Sequence, residues 1–158
     1  MSRLATLELE GFPKRALLMA AAAFAAFLVD FVSKEIAVAL DPDTLLFHVS
    51  DRDPLNLGAA LILVVAAMSL LACVVPSRIV AIGAGAALGG ALGNRMSREW
   101  WSSHGGSPDF IRFGDGSTGN VADLFIAFGV GTMLLGISAW LVWTIFARDR
   151  SESSTADD

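Results

Sequence analysis

Two aspartates 14 positions apart, Asp109 in "SPDFIRF" and Asp123 in "NVADLFIAFGVG", are the residues of this chain whose type and setting could do chemistry. Both border apolar sequence, where an ionisable group costs ~2.5–3.5 kcal/mol at mid-span on insertion scales and so counts as a functional candidate. Two carboxylates a few ångströms apart cannot both ionise comfortably and share a proton. One can then take a proton from water while the other protonates the leaving group, which is aspartic protease chemistry. The spacing leaves a plainer reading open: Asp123 caps the helix it heads, and Asp109 is a loop acid that follows a proline. A third acid, Asp30, closes an apolar run and has Lys34 four residues further on.

The elements that must position these acids are membrane helices. The 158 residues are 54% hydrophobic with a mean hydropathy of +0.61, too apolar for a soluble single-domain globule. Crossing a ~30 Å hydrocarbon core takes roughly 20 mostly apolar helical residues, with about 17 as the lower limit. Four segments approach this: residues 16–32, opened by Lys14 and Arg15; 59–75, stopped by Pro76; 79–92, short and rich in glycine and alanine; and 121–146, ended by Arg148. They predict an all-α membrane protein, a four-transmembrane-helix bundle. The first segment is read as a retained helix rather than a cleaved signal peptide, because it is long, ends in Asp30 and Lys34 and precedes further spans. Gly85, Gly89 and Gly93 align a small-residue face on the third helix for close packing. The loop at 34–57 contains "TLLFHVS" and predicts a small β-rich region between helices 1 and 2, extracytoplasmic where the termini lie inside. Trp100 and Trp101 are expected at headgroup level. Residues 1–147 read as the membrane domain and 148–158, "RDRSESSTADD", as a disordered polar tail.

Charge says little about orientation. With the termini inside, Arg3, Lys14, Arg15, Arg78, Arg148 and Arg150 face Lys34, Arg52, Arg95, Arg98 and Arg112 across the bilayer, nearly a tie. A net charge of -5 without a basic patch beside stacking aromatics gives no footing for nucleic acid. The lone Cys73 cannot form an internal disulfide, and "LLAC" at its position lies within a span, so it reads as core packing. His48 and His104 are far apart and have no ligand cluster, so no metal site is expected. No serine stands in a nucleophile setting.

Five blocks in order then match a family: "DFVSK" (30–34), "NLGAAL" (56–61), "GGALGNRMSR" (89–98), "PDFI" (108–111) and "NVAD" (120–123). Over roughly residues 16–146 the chain resembles lipoprotein signal peptidase, or signal peptidase II. The resemblance implies an integral-membrane aspartic endopeptidase that cleaves the signal peptide from a diacylglyceryl-prolipoprotein on the amino side of its lipidated cysteine. It implies Asp109 and Asp123 as the catalytic pair; Asn56, Asn94, Arg98 and Asn120 as substrate-binding residues; and Asp30, Lys34 and Gly58 in support. It further implies a monomer among membrane lipids, without cofactor, in the bacterial inner membrane, with cytoplasmic termini and the site toward the outer face. Two positions depart from the family: Ser97 stands where its aspartate precedes the arginine, and Leu61 where it has phenylalanine. The serine leaves Arg98 without an adjacent carboxylate to fix its guanidinium, with Glu99 as a stand-in on another helical face. The alternative that Ser97 favours is a catalytically impaired homologue that binds lipoprotein segments or a membrane partner.

Overall fold

The computed structural model describes residues 3–48 and 57–154. Four helices form the scaffold, α1 (Arg3–Leu40), α2 (Leu57–Val74), α3 (Arg78–Trp100) and α4 (Val121–Ser154). Among the described residues, three stretches are long and apolar enough to cross a membrane, Gly11–Leu40, Arg78–Trp100 and Val121–Ala147. Their outward faces are greasy, with Leu17, Phe24, Leu135 and Trp143 all exposed, as suits surfaces solvated by lipid tails.

α3 is the central helix, and α1, α2 and α4 all pack on it. Small residues make this possible. A methyl group at Gly89 would lie 2.9 Å from the Cβ of Ala26 on α1, and one at Gly83 would lie 2.9 Å from the Gly129 carbonyl of α4, so both backbones approach to glycine distance. Gly85 and Gly93 continue the α1-facing stripe as expected. At the opposite end from the site, Ala72, Val80, Ala84 and Met133 form the buried apolar cluster. Ser77 caps α3 there, its Oγ accepting from the Val80 N–H at 3.4 Å.

The helices overrun their apolar segments. α1 continues past Lys34 to Leu40 because Lys34 and Ala37 are buried on its inner face. α3 runs eight residues beyond position 92: its inner face buries Gly93 and Ser97, while Arg95 and Glu99 pair at 2.5 Å outside, an i,i+4 contact that supports the last turns. α4 is helical through Ser154, past the 147/148 boundary at which the tail was expected to begin.

Two short ribbons cover one end. β1 (Leu46–His48) follows α1, while β2 (Ser107–Asp109), β3 (Ile111–Arg112) and β4 (Thr118–Gly119) belong to the α3–α4 connection. β1 pairs antiparallel with β2, Leu46 opposite Asp109 and His48 opposite Ser107, so the β-structure is shared between two loops rather than confined to the one after helix 1. β3 and β4 form a hairpin, and the Phe110 N–H donates to the Gly119 carbonyl at 2.9 Å, which ties the two ribbons together. After a one-turn 3-10 helix at Ser102–His104, Gly105 (φ 99°) and Gly106 (φ 141°) turn the chain into β2 through a region that side-chain-bearing residues avoid. Trp100 is exposed, whereas Trp101 is buried, tilted against Phe31 at a centroid distance of 5.6 Å. Consecutive residues on a helix end point some 100° apart, so only one of the pair can face the lipid headgroups.

Candidate active site

The site is built around the first turn of α4. Its four leading N–H groups lack helical partners and must find acceptors. Asn120 supplies one, its Oδ1 accepting from the Ala122 N–H at 3.0 Å. Asp123 reaches back, its Oδ2 accepting from the Asn120 N–H at 2.9 Å. Together these make a capping box with asparagine and aspartate in the usual roles of serine and glutamate. Asp123 is therefore a capping acid, as the plainer reading of the sequence has it, but only one of its oxygens is engaged there. Its Oδ1 accepts from Asn94 Nδ2 of α3 at 2.8 Å.

Asn120 also reaches the other acid. Its Nδ2 donates to Asp109 Oδ1 at 2.6 Å, with both residues buried. Asp109 ends β2, so the β1–β2 ribbon sets its position, while the β3–β4 hairpin returns the chain to Asn120. One asparagine thus holds both carboxylates, Asp109 by its side chain and Asp123 by its backbone. Gly119 keeps the space beside them open: a methyl group there would meet Asp123 Oδ2 at 2.7 Å.

Beneath this turn lies a buried ion pair. Asp30 and Lys34, one helical turn apart on α1, are fully buried with Lys34 Nζ 2.7 Å from Asp30 Oδ2. Asp30 does more than neutralise the lysine, because its Oδ1 accepts from the Ala122 N–H at 2.8 Å and so supplies a second acceptor to the α4 terminus from across the bundle. Lys34 turns to α3, donating to Asn94 Oδ1 at 2.9 Å and to Ser97 Oγ at 2.9 Å. Burying such a pair is favourable only where its remaining donors and acceptors are matched, as they are here. The pair expected in support of the site is thus buried inside the bundle, joined to the acids' surroundings through the Ala122 N–H and Asn94.

The other expected site residues fare differently. Arg98 is half-buried, and its Nε has no hydrogen-bond partner among the described residues. Ser107 Oγ is likewise buried without one. Asn94, expected to line a substrate groove, has its amide engaged at both ends by Lys34 and Asp123. Gly58 falls in the first turn of α2, and Asn56 lies outside the described residues. Glu99 does not stand in for the missing carboxylate, because it binds Arg95. Ser97 is 1% exposed and engaged by Lys34 and the Gly93 carbonyl. His104 is exposed and stacks on Phe47. Among the described residues no three His, Cys, Asp or Glu side chains gather as a metal site. Sequence reasoning missed two features, the capping of α4 by Asp30 and the seat of Ser97 against Lys34. The signal available for both was spacing: Asp30 and Lys34 share a face of α1, and Gly93, Asn94 and Ser97 share a face of α3.

Membrane-length helices with acids gathered at a helix terminus define the class, an integral membrane protein with an aspartate-centred polar site. The sequence profile of the signal peptidase (SPase) II family matches residues 44–140, and the chain belongs to that family. It is a family of aspartic proteases that process lipoproteins, and this chain is a member of it with membrane-length helices. The match spans both acids and Asn94, Ser97, Arg98 and Asn120, whereas Asp30 and Lys34 precede it and join the site through their contacts alone. No curated protein matches the chain.

Proposed function

We propose that this protein is an intramembrane aspartic endopeptidase that removes the signal peptide from diacylglyceryl-prolipoproteins on the amino side of the lipidated cysteine. Asp109 and Asp123 are its reacting acids. The observation that carries the reading is the double grip of Asn120, 2.6 Å from Asp109 Oδ1 and 2.9 Å from Asp123 Oδ2, which brings the end of a strand and the first turn of a helix, 14 positions apart, to one residue. The pair shares a proton; one acid draws a proton from the attacking water while the other protonates the departing amine. Arg98 Nε and Ser107 Oγ, shielded and without a hydrogen-bond partner among the described residues, meet the substrate backbone, together with Asn56, whose part in this reading comes from the family resemblance alone.

α2 serves as the fourth span, since 18 residues rise about 27 Å, close to the hydrocarbon thickness. Residues 1–147 make up the peptidase domain, and 148–158 a polar tail outside it. Both termini face the cytoplasm, and the ribbons and the acids face the outer side of the bacterial inner membrane, where a translocated prolipoprotein presents its lipidated cysteine. The enzyme acts as a monomer among membrane lipids.

The test is cleavage of a synthetic diacylglyceryl-prolipoprotein by the protein in liposomes. Asp109→Asn and Asp123→Asn keep size but cannot cycle a proton, so each should reduce cleavage by roughly 10⁴-fold while substrate still binds. Binding without cleavage by the unmodified protein would replace this reading with that of a catalytically impaired homologue, and full activity in both variants would move the chemistry elsewhere.

A further inference from the structure

We propose that Ser97 is a positioning residue, one that holds Asp123 in place through Lys34 and Asn94. The inference rests on Asp109 and Asp123 being the reacting acids. Ser97 Oγ donates its one hydrogen to the Gly93 carbonyl at 2.6 Å, which leaves it only lone pairs to offer, and Lys34 Nζ takes one of them at 2.9 Å. An ammonium has three donors and no acceptor. Those of Lys34 go to Asp30 Oδ2 at 2.7 Å, Asn94 Oδ1 at 2.9 Å and Ser97 Oγ, and none is left over. Since Lys34 can only donate, Asn94 must present its oxygen to it, and the amide nitrogen is thereby aimed at Asp123 Oδ1, 2.8 Å away. Lys34 therefore donates to Ser97 on one side and to Asn94 on the other, and Asn94 to Asp123, so donor and acceptor are determined at every step.

This recasts the departure from the family pattern. Asp30 already neutralises Lys34, so position 97 has to supply an acceptor and not a charge, and a serine meets that need in a buried place. Without the hydroxyl, one N–H of a buried ammonium is unpaired. The flexible four-carbon stem then lets the ammonium swing toward another acceptor and carries the hydrogen bond to Asn94 with it.

The experiment measures steady-state cleavage by the full-length protein in liposomes of a synthetic diacylglyceryl-prolipoprotein. Ser97→Ala should lower kcat about tenfold and leave KM within about twofold, because Ser97 acts on the geometry of a reacting acid and not on bound substrate. Ser97→Asp, which restores an acceptor, should bring kcat back to within about threefold of the unmodified protein. In an Asn94→Ala background, Ser97→Ala should cost nothing further, since the link it acts through is gone. A wild-type kcat for Ser97→Ala, or a full additional tenfold loss on top of Asn94→Ala, overturns the inference. Should the alanine variant fail to accumulate, Ser97→Cys offers a weaker sulfur acceptor: a similar fall in kcat is expected, and an unchanged kcat overturns the inference. Asp109→Asn and Asp123→Asn run alongside. If they stay active, the reading of the site fails; if they are inactive and Ser97→Ala is normal, only the positioning role fails.

Discussion

Gly93→Ala sets two known effects against each other at one atom. Alanine in place of glycine inside a helix ordinarily stabilises by about 1 kcal/mol. At position 93, however, the new methyl carbon would stand 2.5 Å from Asp30 Oδ2 and 3.2 Å from its Cγ, whereas carbon contacts settle near ~3.5–4 Å. The carboxylate has to retreat by roughly 1 Å. Both its oxygens are engaged, Oδ1 with the Ala122 N–H and Oδ2 with Lys34, so the retreat loosens a buried ion pair whose disruption costs about 3–5 kcal/mol. The clash wins, by about 2–4 kcal/mol, which is a fall in Tm of roughly 5–15 °C for a chain of this size. Cleavage should fall about 100-fold, the usual cost of a ~1 Å misplacement near reacting groups. Gly131→Ala is the matched control: it lies inside α4 with nothing within 4 Å of its would-be methyl, and should gain about 0.5–1 kcal/mol. Heat unfolding in detergent and cleavage in liposomes read both variants. If Gly93→Ala melts and cleaves as Gly131→Ala does, the tight seat of Asp30 against α3 is refuted.

The remaining predictions concern the acid pair and the bundle's rim. The Asp109→Asn/Asp123→Asn double variant should cleave scarcely less than either single one, because partners in one proton cycle fail together; additive losses would mean two independent acids. Trp101→Ala should cost about 3–5 kcal/mol because its indole is buried, and Trp100→Ala only about 1 kcal/mol, since its ring is exposed and gives up an edge-on contact with Phe31 at 5.5 Å and a hydrogen bond to Glu35 at 3.2 Å, a contrast that unfolding in detergent would check.

Much of the helical scaffold was legible because an apolar run reports its own length: three of the four segments fall within a helix, and the second, 59–75, ends one residue past α2. Helix ends were not, because Lys34, Ser97 and Ala37 are held in place by neighbours on other helices and hydropathy carries no trace of those neighbours. Trp101 shows the same limit; two adjacent tryptophans look alike in sequence, and only the bearing of the helix end decides which one enters the core. The acids could be singled out by their type beside apolar sequence, and the family blocks tied them together. What escaped was which side chain faces which. Ser97 reads as a loss beside Arg98, its chain neighbour, whereas its contact is Lys34, 63 positions away. Asp30 reads as half of an ion pair, and its grip on α4 spans 92 positions.

Asn120 separates the two readings of Asp123 that its position on α4 had left in competition. As a helix cap it matters through Oδ1; as the link between the acids it matters through Nδ2. Asn120→Ser preserves the first and removes the second, since serine caps about as well as asparagine, and the backbone N–H that holds Asp123 is unchanged. Stability should therefore stay within about 1 kcal/mol of the unmodified protein. Cleavage should fall roughly 10- to 100-fold, because a hydrogen bond to a charged group is worth about 1.5–3 kcal/mol. Asn120→Ala, which loses both contacts, should lose as much activity and in addition about 1 kcal/mol of stability. Heat unfolding and cleavage measured on the same preparations give the two readouts. Normal cleavage by Asn120→Ser would mean that Asp109 is held without Asn120, and the double grip on which the proposed function stands would be incidental.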